Sequence, residues 1–145
     1  RTSATSTSTN ARIYHIRITS TSTEYKLGNP KLTSDGFTDP SYENSLLVSP
    51  SFMIASRLGF VNSNNFGAAD TQTKRLSLSR DHCAYYVEVA DDGTVYDDWR
   101  LPTASELRII MQLQGTSSQS ADAIDYLLNA DYYYSASGPE KASKN

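Results

Sequence analysis

Several things that usually name a function are scarce in this chain. Among its 145 residues there is one cysteine, Cys83, and there are two histidines, His15 and His82, too far apart to suggest a zinc spacing. No cluster of Lys and Arg is visible and the formal net charge is -3, so nucleic acid or an anionic membrane lacks its electrostatic footprint. No apolar run approaches the roughly 18–20 residues that span a bilayer, and no charged-then-apolar signal segment opens the chain. No Gly-rich phosphate loop, nucleophile elbow or paired-carboxylate motif occurs. These absences point away from catalysis, cofactors, nucleic acid and direct membrane insertion.

What is present is Ser, Thr and Tyr. Hydrophobic residues make up 38% of the chain, charged ones 20%, and Tyr (10) outnumbers Phe (4). That balance suits an α+β protein with short strands and much irregular structure better than a helical bundle. The length suits one domain with a real core. Arg1 to Thr9 is almost purely Ser, Thr and Ala, a flexible leader or a strand lent to another domain. The absence of Met at position 1 suggests a processed product.

Ile13 to Thr19 alternates with Tyr14, Ile16 and Ile18 in step, which predicts a half-buried strand. Thr21 to Asn44 is rich in turn pairs, Gly28-Asn29-Pro30, Asp35-Gly36 and Asp39-Pro40. So long a connection is functional or partly disordered by expectation. Phe52-Met53-Ile54-Ala55 predicts a buried strand or short core segment behind Pro50. From Ala68 to Val87 the pattern is helical, with Ala69, Thr73, Leu76, Cys83, Ala84 and Val87 on one broad face. Ala90 to Thr94 is an Asp-Gly turn between short apolar stretches.

The most informative stretch is Asp97 to Leu107, expected to be a buried strand-end entering a capped helix. Trp99 and Leu101 alternate around Arg100, Pro102 sets the entry angle, and Thr103 with Glu106 forms a capping box. Leu107, Ile110, Met111 and Gln114 make an i, i+3, i+4, i+7 stripe, and Gly115 ends the helix. Ser120 to Leu128 predicts a second, shorter amphipathic helix, and Tyr132-Tyr133-Tyr134-Ser135-Ala136-Ser137 a strand.

The order of these pieces carries a resemblance. A Cys-bearing helix, an Asp-Gly hairpin, Trp-Arg-Leu-Pro-Thr-x-x-Glu-Leu, an Ala-Ile helix and a Tyr-x-x-Ser-x-Ser strand resemble the C-terminal domains of Bacteroidetes fimbrial tip (fimbrillin-type) proteins. More distantly they are similar to the sulfatase-modifying-factor and C-type-lectin-like superfamily. Leu47 to Ser56 also looks like the tip-protein pattern, and the match runs over Leu46 to Gly138. The resemblance implies a C-type-lectin-like domain of two or three helices and short antiparallel strands at 46–145. Before it come a leader, one strand and a long connection at 1–45, the strand belonging to an upstream pilin-like β region.

It further implies an extracellular protein on the surface or fimbria of a Gram-negative bacterium, adhesive or assembling, with other fimbrial subunits as partners and a host glycan or protein as possible ligand. The families' closing Arg-Cys-Val-Arg-like strand is absent, so a domain continuing past Asn145, with the partner of Cys83 there, is expected. The copper-binding cysteines and glycine-rich terminal region of formylglycine-generating enzymes are missing too, which leaves a sulfatase-modifying-type enzyme as the alternative and a purely structural pilus cap as a third reading.

Within this frame Trp99, Arg100, Leu101, Pro102, Thr103, Glu106 and Cys83 are assigned to structure. Arg100 can bind a carboxylate ligand or pair with an internal acid, and the capping chemistry explains the spacing without a ligand. Asp91, Asp92, Asp97 and Asp98 supply hard oxygens for calcium, but without EF-hand spacing. Adjacent helix positions point about 100° apart, against a His82–Cys83 catalytic pair. Tyr132, Tyr133 and Tyr134 are the candidate ligand-binding residues, because exposed Tyr offers contact area at low entropy cost and stacks on sugars. A core Tyr with a satisfied hydroxyl is the competing reading.

Overall fold

The computed structural model describes residues 13–20, 22–55, 72–90, 92–113 and 132–141. In chain order the elements are β1 (Tyr14–Arg17), β2 (Lys26–Leu27), α1 (Tyr42–Ser45), β3 (Leu47–Val48) and β4 (Ser51–Ile54). They continue with α2 (Gln72–Tyr85), β5 (Glu88–Val89), β6 (Val95–Tyr96), α3 (Ala104–Leu113), β7 (Tyr132–Ser135) and β8 (Gly138–Lys141). The mixture is α+β, as expected. The predicted helix at 120–128, and Gln114 and Gly115, lie outside the described residues.

Strands pair in twos. β1 runs antiparallel to β4, with Tyr14 opposite Ile54 and Ile16 opposite Phe52. The even-position pattern of β1 turns Tyr14 and Ile16 inward, onto a buried cluster of Ile54, Leu107, Ile110 and Met111. The strand placed in an upstream region by the sequence thus packs on the same core as α3. Residues on either side of position 45 also share a second pairing, β2 with β3.

That second pairing is parallel, whereas short antiparallel strands were expected. Parallel neighbours need a crossover rather than a tight turn, and the turn-rich segment after β2 supplies it. Asn44, 2% exposed, organises this loop. Its Oδ1 accepts the Lys31 N–H (2.7 Å), and its Nδ2 donates to the carbonyls of Asp39 (2.8 Å) and Lys31 (3.2 Å). Asp35-Gly36 makes a turn with Gly36 at φ 87°, a conformation costly for residues bearing a Cβ.

α3 follows its stripe: Leu107, Ile110 and Met111 are buried, and Ile109 is buried as well. α2 lies within the predicted helical span and packs against β7 and β8. The broad apolar face predicted for it is not buried as a unit. Leu76 and Cys83 are half-buried, but Thr73 and Ala84 are exposed, and Val87 lies past the helix end and is exposed. β5 and β6 form the Asp-Gly hairpin, with Gly93 at φ 86°. Asp97 to Arg100 then continues without strand structure, so the expected strand-end is an irregular segment.

Candidate functional site

Glu106 is the organising side chain of the signature, at 1% exposure. The capping box is formed: the Thr103 hydroxyl accepts the Glu106 N–H (3.2 Å) and Glu106 Oε1 accepts the Thr103 N–H (2.9 Å). Arg100 adds a two-pronged ion pair, Nη1 to Oε1 at 2.7 Å and Nη2 to Oε2 at 2.8 Å. The Ser49 N–H donates to Oε2 (3.1 Å). Both carboxylate oxygens are therefore occupied by donors within the fold, the condition under which a buried charge is tolerated.

The same segment ties distant chain together. The Thr103 hydroxyl donates to the Leu47 carbonyl (2.7 Å), and the Leu101 carbonyl accepts from the Thr38 hydroxyl (2.8 Å) and from Arg100 Nη1 (3.1 Å). The Pro102 carbonyl accepts the Ala136 N–H (2.9 Å) from the β7–β8 turn. Thr38, Ser49 and Ala136 were not singled out from sequence. They are far from the signature along the chain, and nothing in their spacing announces the contact.

Trp99 departs from expectation. Rather than filling the core it is half-buried, donating from its ring nitrogen to the Tyr96 carbonyl (2.9 Å). Its ring lies 6.2 Å from that of Tyr96 and 6.1 Å from that of Tyr86. His82 joins this group through Tyr86, with ring centroids 5.4 Å apart. Leu101, by contrast, is buried in the core. The difference follows from size and polarity: a large indole with an N–H settles where one end can reach a carbonyl.

Cys83 is half-buried on α2, and burial pushes its thiol up to about 11, partly opposed by the Arg100 guanidinium. A reactive cysteine needs the reverse, a thiol pulled down toward neutral pH. Of the four aspartates considered for calcium, Asp91 lies outside the described residues. The exposed Asp92 carboxylate is held below its usual range by the Thr94 backbone N–H, which it accepts at 2.9 Å. Among the described residues no group of three or more His, Cys, Asp or Glu converges. Tyr132, Tyr133 and Tyr134 lie in β7, opposite Lys141, Glu140 and Pro139 of β8. Their side chains lie outside the described part of the structure.

The arrangement is that of a protein whose most distinctive residues are spent on holding its own segments together. Comparison with known proteins places it beside fimbrial proteins. Two matched relatives are each the Major fimbrium tip subunit FimD of Porphyromonas gingivalis, 32% identical over 126 residues, with 77% of this chain covered. The chain spans 18% of those relatives' length, so it is a partial homologue. No family model matches the chain. No solved structure matches it either.

Proposed function

We propose that this chain forms part of a non-enzymatic fimbrial tip or assembly subunit on the surface of a Gram-negative bacterium, where it works by adhesion or by joining other subunits. The observation that carries the reading is the alignment to a fimbrium tip subunit over 77% of the chain. Residues 46–145 are read as a C-type-lectin-like domain onto which β1 and β2 are built through their pairing with β4 and β3. Among the described residues, no helix is long and apolar enough to cross a membrane.

Adhesion would use loops and Tyr132 to Tyr134, since the donors and acceptors of the Arg100–Glu106 group are already engaged. A sulfatase-modifying-type enzyme is disfavoured by the high thiol pKa of Cys83. A purely structural cap differs from an adhesin only in lacking an outside ligand.

Two measurements test this. Immunogold labelling of sheared surface appendages should locate the protein on them, and its absence there would rule the reading out. A glycan and host-matrix array should retain the protein and lose it when Tyr132, Tyr133 and Tyr134 become Ala. No retention, together with altered fibre length on deletion, would leave the structural cap.

A further inference from the structure

The β5–β6 hairpin turns its two paired valines outward. In a ribbon with one buried face, alternate residues should place apolar side chains inward and polar ones outward. Here the inward residues are Glu88, 3% exposed, with its carboxylate accepting from the Tyr86 hydroxyl, and its cross-strand partner Tyr96, half-buried against Trp99. Val89 and Val95, directly paired across the ribbon, are 52% and 58% exposed. Val87, directly before β5, is 53% exposed.

Glu88 and Tyr96 thus occupy the inward face, and the same register leaves Val89 and Val95 outward. Val89 and Val95 on the outward face, with exposed Val87 beside them, are suited to burial by something else. The face is bounded by exposed carboxylates at both ends, Asp92 at the turn and Asp97 and Asp98 at the open end. Two such faces laid together would set carboxylate against carboxylate in either orientation, which argues against a second copy of this chain. The same carboxylates would repel an anionic membrane surface.

We infer that the outward face of the β5–β6 hairpin, Val89 and Val95 with Val87 beside them, between Asp92 and Asp97, is a docking surface for a neighbouring appendage subunit. That subunit presents an apolar patch flanked by Lys or Arg. Apolar contact at the centre supplies affinity and the charged flanks supply register and partner choice. The inference rests on the fimbrial reading and adds to it the surface and the chemistry of its partner.

The test uses the protein expressed in its own cells, with a photo-crosslinking residue placed at Val89 or Val95 and a control at exposed Asp35. Irradiated, sheared appendages should yield an adduct at 89 and 95, and not at 35. The joined peptide should come from a different appendage subunit and have Lys or Arg beside it. An adduct to a second copy, an adduct within the same chain, or none although the protein is present in the sheared fraction, overturns the inference. Absence of the protein from that fraction overturns the fimbrial reading, and this inference with it.

A second arm replaces Val89→Lys and Val95→Lys together. Retention in sheared appendages should fall roughly tenfold or more, as for central interface residues, while cellular level and thermal midpoint stay unchanged because both positions are exposed. Undiminished retention would overturn the inference.

Discussion

Arg100 and Glu106 meet through two parallel hydrogen bonds, 2.7 and 2.8 Å, with the carboxylate 1% exposed and the guanidinium side chain 26% exposed. The pair sits where α3 begins and where the β3–β4 junction donates Ser49 N–H. Removing one partner leaves the other charge in place. Arg100→Ala is therefore expected to destabilise the fold by about 3–5 kcal/mol, since Glu106 is left buried and uncompensated. Arg100→Lys keeps the charge but loses the fork and should fall between the two. Urea unfolding midpoints measure this. An Arg100→Ala variant as stable as the parent would mean that the pair contributes nothing to folding.

Thr103 has two tasks, capping α3 and donating to the Leu47 carbonyl at 2.7 Å. Thr103→Ala loses the cap, typically worth about 1 kcal/mol, and leaves a buried carbonyl short of its donor, so a loss of roughly 1–3 kcal/mol is expected. Thr103→Ser keeps the hydroxyl and should recover most of it. If the two variants melt at the same temperature, the hydroxyl is not the cause.

How much of this could be read from sequence depends on the range of the interaction. The capping box at Thr103 and Glu106 was legible because its chemistry spans three residues and has its own spacing rule. The α3 stripe and the alternation in β1 were legible for the same reason, as local periods. Ser49, Thr38 and Ala136 were not, because each joins the signature through tertiary hydrogen bonds that leave no trace in local pattern. Trp99, in the stretch expected to be buried, is only half-buried, because its ring N–H is held by the Tyr96 carbonyl. The valine face of β5–β6 was not legible, because strands of two residues are too short for alternation to say which face is buried.

Met111, 2% exposed, belongs to the cluster that joins α3 to β1 and β4. Met111→Ala should cost about 2–5 kcal/mol through lost burial and the cavity left behind. Its exposed neighbour Gln112 offers the control: Gln112→Ala should stay within about 0.5 kcal/mol. Thermal or urea unfolding separates them, and equal effects would argue that α3 is turned differently about its axis.

Cys83 gives the fold a pH dependence on the alkaline side. Its thiol lies near 9.0 when unperturbed and at about 11 in the folded chain, raised by burial against the opposing pull of Arg100. Between these values the unfolded chain has released the proton and the folded chain still holds it, so the unfolded state binds fewer protons and stability falls as pH rises. Below pH 9.0 both states hold the proton and this residue contributes no slope. Unfolding midpoints measured from pH 8 to about 11 should decline more steeply for the parent than for Cys83→Ala, which has no thiol to ionise. Native alkylation at pH 8 should be slow for the same reason, since the thiolate is the reacting form. Identical pH slopes for parent and variant, with rapid alkylation of the native chain, would show that the thiol is neither shielded nor shifted.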